Sequence, residues 1–338
     1  MARVTSVDLA QALGISQSTV SRALSNDVRV ARKTRQRVKD LAQQLGYTPN
    51  AMARSLSTRQ SNLIGIVISE MTSPFYPFVL EKLTHRLHKL GWRVLLFTTD
   101  ADHEVDELLP LVLEYQCDGL IIASASLSSH MAETLRVRGT PVVLFNRYVK
   151  EASTSAVCCD NFGGGRLVAQ KLLAQHQHFA YIAGRENTST NRDREQGYSQ
   201  TLQEAKKTVL LEVGNFTYES GFAAMQRLLR RSDPPDAVFC ANDITAIGAI
   251  DAARQRGVLV GQDVSVVGFD DIPMAAWSAY NLSTVRQPVI QMIDSSLQLL
   301  FEAIEHNTMG SNLRFLPGEF IERGSTKKPK VKRSGKHG

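Results

Sequence analysis

The sequence predicts an α/β protein with a small helix-turn-helix headpiece at its N-terminal end, followed by a two-lobed core of doubly wound parallel sheets. Three observations predict it. Near the start, helix-start and helix-stop signals fall on either side of a glycine turn, the pattern of a helix-turn-helix. From Leu63 onward, short β-branched runs alternate with amphipathic stretches, as parallel strands with helices on both faces require. The alternation recurs too often for one open sheet, and two similar halves are the natural solution. At 338 residues the chain can hold a headpiece and one or two core-bearing domains.

In the headpiece, Thr5 and Asp8 have the spacing of a capping box and start a helix. That helix is expected to turn Val7, Leu9, Ala10 and Leu13 inward and to stop at Gly14, which tolerates a positive φ. Ser16 then caps a second helix from Gln17 to about Ser25, with Val20 and Leu24 on its buried side. Gln17, Ser18 and Arg22 project from the opposite face. In a helix-turn-helix, the early residues of the second helix meet base edges in the major groove. Arg can bond guanine bidentately, Gln can bond adenine, and Ser accepts either. Two short helices around a glycine also occur in many helical domains, so charge has to decide. Residues 1–60 hold ten Lys or Arg against Asp8, Asp27 and Asp40, a net +7, and a duplex attracts such a surface whatever its sequence.

Beyond the headpiece the predicted elements follow in order. Leu63 to Ile68 is a strand, Phe75 to Leu90 a helix, Arg93 to Thr98 a strand and Glu104 to Tyr115 a helix. Gly119 to Ala123 and Pro141 to Phe145 are strands. The cycle then restarts with a strand at Ala156 to Cys159, a helix at Phe162 to Ala174 and a strand at Phe179 to Ala183. Arg192 to Lys206 is a helix, Val209 to Val213 a strand and Tyr218 to Arg231 a helix. Ala237 to Ala241 is a strand, Ile244 to Arg256 a helix and Ser265 to Phe269 a strand. A last helix runs from Val289 to His306. Ligands of such sheets bind beyond the carboxyl ends of the strands. Asn146 and Arg147, Arg194, Asn242 and Asp243, and Asp270 all collect there. Asn242-Asp243 could equally cap the next helix, and Asp270-Asp271 could hold a loop together.

Composition sets the outer bounds. Hydrophobic residues at 43% and charged residues at 21% are ordinary for a soluble globular chain. No apolar run reaches the roughly 18 residues of a membrane helix, and no signal peptide precedes the headpiece, so the expected compartment is the cytoplasm. The four cysteines, Cys117, Cys158, Cys159 and Cys240, lack Cys-x-x-Cys spacing and are expected to be buried, inert thiols. The net charge of +6 conceals an asymmetry: Arg323 to Gly338 carries seven Lys or Arg and no acid, and without the two basic ends residues 61–322 stand at −8. DNA affinity therefore belongs to the headpiece, with the tail as an auxiliary.

Several runs identify a family. They are Asp8-Leu9-Ala10, Gly14-Ile15-Ser16, Ser18-Thr19-Val20-Ser21-Arg22-Ala23-Leu24, Thr34-Arg35, Arg37-Val38, Leu45-Gly46-Tyr47-Thr48-Pro49-Asn50 and Ala53-Arg54-Ser55-Leu56. In these Val4 to Leu56 resembles the headpiece of the LacI/GalR family of bacterial transcriptional regulators, and the resemblance continues to about Gly324. It implies that Gln17, Ser18 and Arg22 read bases, and that Ser16, Thr19, Ser21, Thr34, Tyr47 and Asn50 touch phosphates. Pro49 to Ser57 resembles the family's hinge helix. Ala53 would keep one side thin, and Leu56 would wedge a minor-groove base step. Ala31 departs from the usual Ser that caps the third helix. The core resembles periplasmic sugar-binding proteins, and Phe75, Asn146, Arg194, Phe216, Asn242 and Asp270 match effector-binding positions.

The implied organisation is a headpiece at 1–48, a hinge and linker at 49–61, a core at 62–324 and a basic tail at 325–338. Lobe 1 would take about 62–160 and 289–320, lobe 2 about 161–288, with crossings near Asn161 and Gln287. The implied function is a sequence-specific, dimeric DNA-binding regulator, a repressor whose operator affinity a small sugar-like effector controls. An activator, or a regulator with a nucleobase corepressor, is the alternative. The implied partners are a double-stranded DNA operator, the effector and a second copy, with no membrane and no cofactor.

Other motifs are weaker. Gly163-Gly164-Gly165 is neither a dinucleotide fingerprint nor a Walker loop and reads as close backbone packing. His85 and His88 share a helix face without a carboxylate at metal-site spacing. Gln175, before His176 and His178, stands where the family often has glycine. No nucleophile–base pair suggests an enzyme. The tail from Lys327 to Arg333 mimics an import signal, reads as a solvated tail, and lacks the leucine heptads of a tetramerising bundle.

Overall fold

The computed structural model describes residues 4–48, 61–68, 73–98, 105–123, 128–149, 154–306, 308 and 310–327. The hinge segment, with Asn50, Ala53 and Leu56, and the tail beyond Lys327 lie outside these residues. By its contacts the chain divides into two units, Met1–Asn62 and Leu63–Gly338.

In the first unit α1 (Ser6–Leu13), α2 (Gln17–Leu24) and α3 (Arg32–Gln44) pack around Leu9, Ala10, Val20, Ala23, Val30, Val38 and Ala42. Thr5 and Asp8 form the capping box: the Asp8 amide donates to Thr5 Oγ1 at 3.3 Å and the Thr5 amide to Asp8 Oδ2 at 2.7 Å. Gly14 ends α1 in the left-handed region at φ 65°. One expectation fails, because Val7 is 45% exposed. Leu9, Ala10 and Leu13 define the inward stripe of α1, and Val7 falls about half a turn away from Leu9. Leu24 is half-buried.

In the second unit, β1 (Leu63–Ile68), β2 (Arg93–Thr98), β3 (Gly119–Ala123), β4 (Val142–Phe145), β5 (Ser155–Cys159) and β11 (Leu313–Leu316) form one six-stranded sheet. Its order is β11-β5-β4-β3-β1-β2 and every pairing is parallel. The other sheet has the order β12-β10-β9-β8-β6-β7. Its strands are β6 (Phe179–Ile182), β7 (Val209–Glu212), β8 (Ala237–Cys240), β9 (Ser265–Asp270), β10 (Ser283–Arg286) and β12 (Glu319–Ile321). Only β12, at its edge, runs antiparallel. The central strands β3, β8 and β9 are buried along their whole length, as strands covered by helices on both faces must be.

The covering helices are α4 (Phe75–Lys89), α5 (Leu109–Glu114), α6 (Ser129–Val137), α7 (Asn161–Leu173), α8 (Ser189–Glu204), α9 (Tyr218–Leu228), α10 (Asp243–Gln255) and α11 (Val289–His306). After β10 in the second sheet, α11 returns to pack on β3, β4 and β5 of the first. Among the described residues the chain passes between the two sheets at Asp160–Asn161, at Gln287–Pro288, and again between β11 and β12 at Pro317–Gly318. The third passage lies beyond the two that the sequence located, and it puts Glu319 and Phe320 in the second sheet rather than with lobe 1.

Glycines let two helix pairs touch backbone to backbone. A Cβ on Gly165 of α7 would fall on the Arg194 carbonyl oxygen, and one on Gly197 of α8 would fall on that of Phe162. In α9 and α10, Gly221 and Gly248 meet the carbonyls of Thr245 and Tyr218 in the same reciprocal way. All four cysteines are buried and free. Burial pushes the Cys117 thiol up to about 11 and that of Cys159 up to about 12, so neither is a thiolate at neutral pH.

Candidate functional site

A cleft cavity, partly open to solvent, lies at the carboxyl ends of the strands, between the two sheets of the core. Ser73, Phe75, Tyr76, Asn146 and Arg147 line it from the first lobe. Thr190, Arg194, Phe216, Asn242 and Asp270 line it from the second. The structure thus brings together all six residues that the sequence singled out, Phe75, Asn146, Arg194, Phe216, Asn242 and Asp270. Ser73, Tyr76 and Thr190 were not assigned, and Arg147 was placed at a strand end without a role. Their signal was adjacency, since each is within a few residues of a predicted one on the same turn or helix.

Arg194 is 2% exposed and held from four sides. Its Nε donates to Asn161 Oδ1 at 2.8 Å, and one terminal nitrogen donates to the Ala241 carbonyl at 2.5 Å. The other lies 3.5 Å from Asp270 Oδ1, and the guanidinium sits 3.6 Å from the centre of the Phe269 ring. A planar cation fixed in this way presents a preset edge. Asp270 ends β9 at φ 119° and accepts from Gln287 Nε2 at 2.7 Å. Burial pushes its carboxyl up to about 6, against the opposing pull of Arg194 and the Gln287 bond. Asp243, wholly buried behind it, is also pushed up, first by burial and then by the charge of Asp270. Asp243 accepts from Thr284 Oγ1 at 2.5 Å and from the Ile272 amide at 2.8 Å, which pins the loop that follows Asp270.

Asn146 adopts the left-handed region at φ 66°. Its Nδ2 reaches Tyr76 Oη at 3.5 Å, while its buried Oδ1 has no hydrogen-bond partner among the described residues. An unpaired buried acceptor costs about 1–3 kcal/mol, and a ligand N–H or O–H would relieve that cost. Asn242 caps α10, accepting from the Thr245 amide at 3.0 Å, and donates to the Phe216 carbonyl at 3.3 Å. Both ends of that amide hold the wall, the capping role that its sequence position also allowed. Phe216 sits at φ 59°, and the far end of its ring lies against Gly184, where a Cβ would collide with Cζ and both Cε atoms.

The headpiece offers a different surface. Ser16, Gln17, Ser18, Ser21 and Arg22 are exposed, while Thr19, Thr34 and Tyr47 are half-buried. Ser16 Oγ caps α2 through the Thr19 amide at 3.2 Å and also meets the hydroxyls of Ser18 and Thr19 at 2.9 and 2.8 Å. Gln17 Nε2 donates to Ser6 Oγ at 2.9 Å, which orients the amide. Arg32, Lys33, Arg37 and Lys39 are exposed along α3. Among the described residues no helix is long and apolar enough to cross a membrane.

Comparison with known proteins places both parts. Residues 7–50 match the model of bacterial regulatory proteins of the lacI family, and residues 169–326 match a periplasmic binding protein-like domain. The HTH-type transcriptional repressor CytR of Escherichia coli K12 is 31% identical over 330 residues, 96% of each chain. Among solved structures, the lac repressor dimer bound to operator and the anti-inducer ONPF superposes with a TM-score of 0.88 at 26% identity, covering 97% of this chain and all of that one. The transcriptional regulator CelR in complex with cellobiose gives 0.73 at 31% identity, over 96% of this chain and all of that one. With a helix-turn-helix in one unit, a cleft cavity in the other and this likeness along nearly its whole length, the chain belongs to the lacI family of bacterial regulatory proteins.

Proposed function

We propose that this DNA-binding regulator is a cytoplasmic, homodimeric repressor whose hold on its operator is set by a small hydroxylated effector in the cleft cavity. The observation that carries the reading is the make-up of that cavity. Each lobe contributes five of its lining residues, so a ligand there touches both lobes at once. Both lobes supply an acceptor to it: the unpartnered Asn146 Oδ1 from one and the Asp270 carboxylate from the other. A molecule with several O–H donors meets both, and Arg194 supplies donors to its oxygens. The solved relative with cellobiose bound is a regulator of the same fold, and the lac repressor dimer on its operator supports the paired DNA-binding form.

Effector changes operator affinity only if it binds one arrangement of the lobes better than another; a tenfold preference corresponds to about 1.4 kcal/mol. In this reading Gln17, Ser18 and Arg22 read bases, while Ser16, Thr19, Ser21, Thr34, Tyr47 and Asn50 grip phosphates. Residues 49–61 join the two parts as a hinge, with Ala53 on its thin side and Leu56 wedged into the minor groove. A thermal-shift screen of monosaccharides, disaccharides, polyols and nucleosides, followed by calorimetry, tests the cavity. The hit should bind Asp270→Asn and Arg194→Ala at least tenfold more weakly. Wild-type affinity in both variants would remove the cavity from the account.

The aromatic ring of Phe216 in the cavity wall favours a second reading, a planar nucleobase stacked on it. Phe216→Leu separates the two: a sugar loses little affinity, and a base loses its stacking partner.

A further inference from the structure

Beside the cavity, a second set of side chains joins the lobes without lining it. The chain leaves β4 through Asn146 and Arg147, which line the cavity, and the next residue is Tyr148. Across the cleft, Thr190 and Arg194 line the cavity from one stripe of α8. Ser189 and Asp193, also one turn apart, occupy the neighbouring stripe. Those two stripes do different things. The Tyr148 amide donates to Ser189 Oγ at 3.2 Å. The Tyr148 hydroxyl donates to Asp193 Oδ1 at 3.3 Å and accepts from an Arg192 terminal nitrogen at 3.1 Å. Arg192 Nε closes the ring of contacts on Asp193 at 3.3 Å, and its guanidinium lies 5.6 Å from the centre of the tyrosine ring. From behind, Phe315 of β11 meets that ring edge-on, at 5.4 Å and 87°, so the first lobe holds the tyrosine in place while its hydroxyl reaches the second. The Asp193 side chain is only 13% exposed, which spares these contacts much of the screening that weakens surface pairs.

We propose that Tyr148 is a positioning residue: with Ser189, Arg192 and Asp193 it latches the lobes together at the rim of the cavity, fixing the separation of the ligand-holding groups before any ligand arrives. The role assigned to those groups rests on the effector reading above; the latch itself does not need a ligand. Apparent affinity falls with the fraction of protein already in the binding-competent arrangement. Removing a hydroxyl that makes two bonds shifts that fraction's equilibrium roughly tenfold.

The test uses the full-length protein without ligand. Nitroxides are placed on His85→Cys in α4 and Gln203→Cys in α8, both exposed, while the four native cysteines are buried. The labelled chains are diluted into unlabelled protein, and the distance between lobes is read by double electron–electron resonance. The wild type should show one short distance. Tyr148→Phe keeps the ring and its contact with Phe315, and should move a clearly visible share of the population to a longer, broader distribution. Asp193→Ala breaks the same contact from the other lobe and should do likewise, with the double variant going no further than either single one. Unchanged distributions in both single variants would overturn the latch, as would a ligand-free wild type already at the long distance or additive effects in the double variant. Such a failure leaves the effector cavity standing, because its test is calorimetric and separate.

Discussion

Asp270 is held at φ 119° with its carboxyl buried between Arg194 and Gln287, and this gives the core a pH dependence whose sign is fixed. The carboxyl titrates near 6 in the folded protein, above its ordinary value of 3.8. The folded state therefore holds the proton more tightly than the unfolded one, and the empty core should gain stability as pH falls from 6 toward 4. Ligand binding should run the other way. A donor-rich ligand needs the ionised acceptor, so affinity should drop as pH falls through about 6, and binding should release protons near that pH. Calorimetry at pH 7.5 and 5.0, in buffers of different ionisation enthalpy, measures both; a flat affinity would refute it. Asp270→Asn separates this effect from that of Asp243, which is raised by the same burial. Asn146 makes a companion prediction. Asn146→Gly suits φ 66° and removes the orphaned oxygen, gains that roughly offset the entropic cost of glycine, about 0.5–1 kcal/mol. Stability in urea should change by less than about 1 kcal/mol while ligand affinity falls at least tenfold.

Among the elements, α3 starts without a side-chain cap because Ala31 stands at the N-cap position. Two long side chains compensate from inside the helix. Arg35 donates to the Asn26 carbonyl at 3.0 Å and Lys39 to Asn26 Oδ1 at 2.6 Å, tying α3 to the turn after α2. Ala31 has the extended ψ of 141° that a capping residue needs, so Ala31→Ser should stabilise the headpiece by about 1 kcal/mol. Slower amide exchange in the first turn of α3 would report it, and unchanged exchange would mean the compensation is already complete. The same elements show what the sequence could carry. Buried parallel strands such as Gly119–Ala123 are written as unbroken apolar runs and were legible. Ser283–Arg286 was not, because its buried Ser283 and Thr284 look like loop residues until Ser325, Thr326 and Asp243 bond them. Leu313–Leu316 and Glu319–Ile321, at sheet edges and half-exposed, lack a run to read. Ser129–Val137, a short helix between two strands, falls outside every element predicted from the sequence. The cavity was legible from strand ends and family positions. The latch was not, since nothing in the sequence tells Tyr148 from any other loop tyrosine.

Over the whole molecule, charge divides the labour: residues 1–60 carry +7 and residues 61–322 carry −8. Binding to any duplex should weaken steeply with salt through the headpiece cations. Lys33→Ala should lower affinity for operator and random DNA alike and flatten the salt slope by about one unit. Arg22→Ala should instead lose discrimination, about 1–3 kcal/mol between operator and random duplex; equal losses on both would show that it does not read a base. The reciprocal glycines of α7 and α8 bear on how such a protein diversifies. Because backbone rests on backbone at Gly165 and Gly197, the main chain at Arg194 is registered against α7, and its guanidinium is held by Asn161, Asp270 and Phe269 rather than by the rest of the cavity wall. Mutation can then redraw the cavity wall at Ser73, Thr190 or Phe216 without shifting the arginine. Lineages descended from one such core can change what they sense by a few wall substitutions, while a substitution at either glycine would displace the arginine itself.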